Sequence, residues 1–171
     1  MTPGIEIDIY LVMSLDGIVA LDENQDISAY SSREDRLFFL DSLKNYDSML
    51  MGKSCYVKDA PPGIRRFILT HNPPKDHHPQ DYYLSGHPRD IHRKMSSMGC
   101  KKTALIGGPR TCFEFLKEEL VDGLYLSVEP VTLGQGLRLF TSQSLLTRWT
   151  LKEIKKLNEE GTLVLHYQAV H

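Results

Sequence analysis

Residues 103–112, Thr103-Ala104-Leu105-Ile106-Gly107-Gly108-Pro109-Arg110-Thr111-Cys112, run an apolar strand straight into a paired glycine and a proline-started helix. Gly107 and Gly108 permit a sharp turn and leave no Cβ to obstruct a ligand. Pro109 presets φ for a first helical turn, whose free N–H groups and positive dipole end suit a phosphate. The same stretch also reads as a tight connection without a ligand, so the flanking sequence must decide.

Upstream, Ile5, Ile7, Ile9 and Leu11 alternate with Glu6, Asp8 and Tyr10, which predicts a first strand over 5–13 and then a Ser14-Leu15-Asp16-Gly17 loop. Ser32 with Asp35 three residues on starts a helix whose apolar face is Leu37, Phe38, Leu40 and Leu43. Short apolar runs predict strands at 48–51, 66–70 and 82–84, and Pro88 opens a helix stopped by Gly99. A strand over 103–106, a helix over 111–120 and a strand over 124–131 follow. The tail alternates over 149–157 and 162–170 around Asn158-Glu159-Glu160-Gly161, as a β-hairpin does. Repeated strand, helix, strand predicts an α/β fold with three α/β/α layers, a mainly parallel central sheet and a C-terminal antiparallel hairpin. No repeat or linker interrupts it, so a single domain over 1–171 is expected.

With 41% hydrophobic residues among 171, the chain can bury a sizeable core. Its 20 basic and 22 acidic residues, net −2, argue against nucleic acid and anionic membrane surfaces as partners. No apolar run approaches the ~20 residues of a membrane helix, and no basic stretch precedes an apolar leader, so a cytoplasmic protein is expected. Cys55, Cys100 and Cys112 lack C-x-x-C spacing and read as reduced thiols. His71, His77 and His78 flank a Pro73-Pro74 loop without the pairing a metal needs, so no metal is expected.

In an open parallel sheet, ligands bind beyond the carboxyl ends of the strands. Four suggestive segments fall there: Ser14 to Gly17, Gly52-Lys53-Ser54, Thr70-His71-Asn72 and Gly107 to Arg110. Neither G-x-G-x-x-G nor a P-loop is present, so these segments must hold any phosphates themselves.

Taken together, these residues resemble the dihydrofolate reductase superfamily and, within it, the reductase domain of the riboflavin-biosynthesis deaminase–reductase family. The resemblance covers nearly the whole chain. It rests on Ser14 to Gly17, on Gly52 followed by Asp59-x-Pro61, on Ile106 to Pro109, and on Val121-Asp122-Gly123-Leu124 leading to Glu129-Pro130-Val131-Thr132-Leu133-Gly134. It implies a dihydrofolate reductase-like fold, a homodimer packing through the final hairpin, and an NADPH-dependent oxidoreductase. The implied reaction passes hydride to a small heterocycle or ribosylamino-pyrimidine, as 5-amino-6-(5-phosphoribosylamino)uracil reductase does. By position, Gly107, Gly108, Pro109, Arg110 and Thr111 would cradle the cofactor pyrophosphate, with Gly52, Lys53 and Ser54 on its other side. Thr70 and His71 stand where the superfamily often contacts the 2′-phosphate. Lys53 and His71 read equally as solvated surface residues.

Three positions depart from the riboflavin branch: Ile106 replaces a glutamate, Leu43 or Lys44 stands opposite an arginine, and Cys55 replaces a threonine. Ile106-Gly107-Gly108 resembles the folate-reducing branch, in which an acid early in the first helix protonates a pterin; Asp35 stands near that position. Asp35 reads equally as part of the helix cap. Asp16 and Asp59 are further candidates for orienting substrate or relaying a proton, and each also fits an Asx brace of its own turn. Gly17 and Glu129 complete the substrate side. A dihydrofolate or pterin reductase-like enzyme, or a non-catalytic nucleotide-binding relative, is the alternative.

Overall fold

The computed structural model describes residues 4–21, 29–76, 78–138 and 145–170; His77 lies outside them. Eight strands form one sheet in the order β4-β3-β2-β5-β1-β6-β8-β7. These are β1 (Glu6–Met13), β2 (Ser48–Gly52), β3 (Arg65–Leu69), β4 (Asp81–Leu84), β5 (Lys102–Leu105), β6 (Gly123–Val128), β7 (Arg148–Lys156) and β8 (Leu163–Val170). The six strands from β4 to β6 are parallel, and β8 and β7 close the edge as an antiparallel pair. Three helices cross over: α1 (Arg33–Ser42), α2 (Pro88–Ser97) and α3 (Pro109–Lys117). Among the described residues no helix is long and apolar enough to span a membrane.

Strand alternation sorts the core into two layers. Ile7, Ile9, Leu50, Phe67 and Leu105 point to one face, where α2 and α3 bring Ile91, Met95, Phe115 and Leu116. Tyr10, Met49, Met51, Ile68 and Ala104 point to the other, where Phe38, Phe39 and Leu40 of α1 and the adjoining Leu43 cover them. Each fully buried large side chain contributes about 1.5–3 kcal/mol of hydrophobic stabilisation. Because both faces are covered, a charged member of β1 is enclosed as well: Asp8 is 3% exposed, whereas Glu6 at the strand's start is exposed. Asp8 Oδ2 accepts from the Tyr46 hydroxyl at 2.6 Å, which settles one carboxylate oxygen. On the second face Arg66 and Asp81 form a buried ion pair at 2.6 Å that fastens β3 to β4.

The elements match the sequence reading within a few residues. The largest differences are at α3 and β6. Proline at N1 lets α3 begin at Pro109 rather than Thr111, and Glu119, at φ 56°, ends it before Leu120. The sixth strand ends at Val128 because Glu129 turns its side chain into a buried polar cluster and Pro130 follows.

Connectivity fixes where a ligand can enter. The chain leaves β2 toward β3 on the outer side, whereas it leaves β5 through α3 to reach β6 beyond β1. The chain paths beyond the adjacent carboxyl ends of β2 and β5 therefore diverge, which leaves a crevice outside those ends.

Candidate active site

That crevice is walled by the two glycine segments. The Gly52 N–H donates to the Gly107 carbonyl at 3.0 Å, so the ends of β2 and β5 meet directly. Gly107 lies at φ 100°, a region that favours glycine, and the Gly107–Gly108 peptide is cis. A Cβ on Gly52 would lie 3.6 Å from Thr111 Oγ1 and 3.8 Å from the Gly108 nitrogen. A Cβ on Gly108 would lie 3.7 Å from Cys55 Sγ. Gly52, Cys55, Gly107, Gly108 and Thr111 thus share one small cradle. No side chain caps the N-terminus of α3, so its first N–H groups and positive dipole end are directed to the same place.

The cradle passes the test a pyrophosphate sets: close-approach backbone, free helical N–H donors, and the Thr111 hydroxyl. Lys53, Ser54 and Arg110 are exposed around it. Next to Lys53 a cavity of about 360 Å³ is lined by Tyr56, Ile68, His78 and Tyr83 among others. Thr70 and His71 follow β3; the Thr70 hydroxyl accepts from the Asn72 N–H at 3.1 Å and so shapes its own turn, while His71 is exposed.

The acids expected to serve a substrate divide by environment. Asp16 is held at its carboxylate by the Ser14 hydroxyl at 2.6 Å and by the N–H groups of Leu133 and Gly134 at 3.1 and 2.7 Å. These hydrogen bonds lower its pKa to about 2. Its backbone carbonyl accepts from Arg138, which packs where a Gly17 Cβ would point. Asp16 therefore latches the loop after β1 to the Leu133–Gly134 turn. Asp59 is exposed and pairs with Arg36 of α1. That contact bridges α1 and the segment after β2.

Asp35 is different. It sits in the first turn of α1, buried, with hydrogen bonds to Ser31 at 2.9 Å and to Ser127 of β6. Burial pushes its carboxyl above the usual carboxylate range; the hydrogen bonds oppose this, and Glu129 adds to it. Glu129, 2% exposed, accepts from the Ser32 N–H at 2.7 Å, the Ser32 hydroxyl at 2.8 Å and the Thr162 hydroxyl at 2.7 Å. The capping role of Ser32 is also present, since its hydroxyl accepts from the Asp35 N–H at 3.2 Å.

Asp16, Asp35 and Glu129 thus gather at the carboxyl ends of β1 and β6, one strand away from the cradle at β2 and β5. Sequence reading misses Ser127 and Thr162, whose roles depend on strand register. It also misses Arg36 as the partner of Asp59. Burial raises the pKa of the Cys55 thiol, so it is a packing group of the cradle rather than an activated nucleophile. Among the described residues no His, Cys, Asp and Glu cluster could hold a metal ion.

A mainly parallel α/β sheet with a glycine cradle at the divergence of two strands, and acids beside it, defines a dihydrofolate reductase-like domain. The family model for the RibD C-terminal domain matches residues 7–163, and the chain belongs to that family. The uncharacterized protein YwjB of Bacillus subtilis is 23% identical over 168 residues, spanning 93% of this chain and 95% of YwjB. A pyrimidine reductase-like protein from Corynebacterium diphtheriae superposes with a TM-score of 0.79 at 14% identity, covering 97% of this chain and 92% of that one. A Thermotoga maritima diaminohydroxyphosphoribosylaminopyrimidine deaminase/5-amino-6-(5-phosphoribosylamino)uracil reductase superposes at 0.73 and 14% identity. That match takes 98% of this chain and 57% of the longer Thermotoga protein.

Proposed function

We propose that this protein is an NADPH-dependent reductase that acts on a small nitrogen heterocycle, with a ribosylamino-pyrimidine as the first substrate class. The observation that carries the reading is the Gly52 to Gly107 contact, which joins both glycine segments into one cradle at the N-terminus of α3. The Corynebacterium and Thermotoga relatives, which bear reductase names, support the reaction type. When bound, NADPH supplies hydride to an electron-poor carbon of the substrate.

The chain's own residues bind, orient and protonate. Gly52, Gly107, Gly108, Pro109 and Thr111 hold the pyrophosphate, and Lys53, Ser54 and Arg110 add charge and donors at its rim. Thr70 and His71, with the cavity beside Lys53, take the adenosine end. Asp35 is the proton donor: its burial favours the protonated carboxyl that a reduction at nitrogen or carbon consumes. Glu129 fixes the start of α1 through Ser32, and Asp16 with Gly17 shapes the substrate loop.

A pterin is the second substrate class, favoured by the burial of Asp35 in the first turn of α1 together with Ile106 before the glycine pair. Fluorescence titration with NADPH, followed by absorbance at 340 nm with a pyrimidine ribosylamine and with dihydrofolate in parallel, tests both classes. Absence of NADPH binding overturns the reductase reading; turnover on dihydrofolate alone replaces the first substrate class by the second.

A further inference from the structure

Arg66 and Asp81 are register partners across β3 and β4, and their side chains are 6% and 3% exposed. In a guanidinium, Nε and Nη2 project from the same edge, and a carboxylate that meets this edge takes one donor on each oxygen. Here only half of that pair forms. Nε donates to Asp81 Oδ1 at 2.6 Å, but the Tyr56 hydroxyl donates to Oδ2 at 2.9 Å. Nη1 reaches the Lys58 carbonyl at 3.5 Å, and Nη2 is buried with no hydrogen-bond partner among the described residues. A buried charged donor left unpaired is costly, and nothing in the pairing of β3 with β4 requires it. Departures of this kind gather at binding sites.

The departure is caused by where Tyr56 stands. Its hydroxyl anchors one end of the ring, and the Arg66 guanidinium lies over one face, 5.2 Å from the centroid. With that face taken, the ring meets the cavity of about 360 Å³ that it lines by its other face or its edge. Ile68 and Tyr83, register partners one alternation further along β3 and β4, line the same cavity, as does Lys53, which follows Gly52 of the cradle. An anchored ring beside an aliphatic and a second aromatic side chain suits a planar aromatic ligand, and the neighbouring cradle suits its phosphates.

We infer, resting on the reductase reading, that Tyr56 is the base platform of the cofactor site: its ring, held by Asp81 and Arg66, stacks the adenine of NADPH inside this cavity. The unpaired Nη2 is the cost to the fold of holding the ring there.

Titration of the whole chain by fluorescence and calorimetry tests this, with NADPH, adenosine 2′,5′-bisphosphate and reduced nicotinamide mononucleotide as probes. Tyr56→Ala should raise the dissociation constants for NADPH and the bisphosphate about tenfold and leave that for the mononucleotide unchanged. Tyr56→Leu, which keeps apolar bulk without a flat ring, should do the same and serves if Tyr56→Ala fails to fold. Tyr56→Phe keeps the ring and frees Asp81 Oδ2 for Arg66 Nη2, so it should hold NADPH affinity within about threefold and melt at or above the native temperature. Equal losses for NADPH and the mononucleotide, or a Tyr56→Phe variant that melts below the native protein and binds as weakly as Tyr56→Ala, assign Tyr56 to structure alone and overturn the platform. Native binding of NADPH that Tyr56→Ala leaves unchanged overturns the platform and spares the reductase reading; a native protein that does not bind NADPH overturns both.

Discussion

The backbone N–H of Gly52 reaches the carbonyl of Gly107 at 3.0 Å, so the ends of β2 and β5 form a single wall built without side chains. Gly52 itself has φ −70°, a conformation any residue adopts. A Cβ there would meet its nearest neighbour, Thr111 Oγ1, at 3.6 Å, an ordinary contact, so the fold accommodates alanine and the position is a clean probe of the cradle.

Gly52→Ala should raise the dissociation constant for NADPH by at least about tenfold, equivalent to ~1.4 kcal/mol, with an unchanged circular dichroism spectrum. Gly108→Val, which adds branched bulk toward the same space, should abolish detectable binding. Unchanged affinity in both variants by fluorescence titration removes the phosphates from this cradle.

Asp35→Asn should lower kcat by about 10²–10⁴-fold and leave NADPH affinity intact. The rate of the native protein should fall as pH rises through the raised pKa of Asp35, since the reaction consumes its proton. The variant should lose that limb of the pH–rate profile. A profile identical in native and variant protein transfers the proton-donor role elsewhere.

Asp16 gives a prediction of opposite sign. Its folded pKa, about 2, lies below the ordinary 3.8, so the stability it contributes is present above 3.8 and is lost as pH falls toward 2. The melting temperature of Asp16→Ala should lie below that of the native protein at neutral pH, and the gap should close on acidification over that interval. A gap independent of pH would show that the carboxylate charge does not hold the Leu133–Gly134 turn.

The hairpin edge supports a prediction on assembly. Leu151 and Ile154 of β7 are 45% and 58% exposed on the same side as Trp149, Leu165 and Tyr167, beyond the reach of α2 and α3. A second copy of the chain is the occupant that the family resemblance implies for this face. Light scattering should give twice the chain mass, and Ile154→Lys should give the single mass with circular dichroism preserved; a native monomer rules the dimer out.

Most of the fold is legible in the sequence because its punctuation is local. Gly52 ends β2, Pro88 and Gly99 bracket α2, and Asn158 to Gly161 form the hairpin turn, each for a reason contained within a few residues. The glycine cradle is legible for the same reason. The acid cluster is legible only as a set of candidates, because Asp16, Asp35 and Asp59 look alike until neighbours from remote segments separate them. Ser14, Leu133 and Gly134 lower the pKa of the first, burial raises that of the second against the opposing hydrogen bonds of Ser127 and Ser31, and Arg36 occupies the third at the surface. The same limit hides the enclosure of Asp8, whose alternation with Ile7 and Ile9 reads as a solvent-facing position until Tyr46 and Lys102 close over it.

Glu129 accepts from Ser32 at the start of α1 and from Thr162 at the start of β8. The C-terminal hairpin is consequently part of the frame that sets the proton affinity of Asp35. Under the proposed reductase reading, loss of the last strands should therefore alter the pH–rate profile through Glu129 before it alters NADPH affinity.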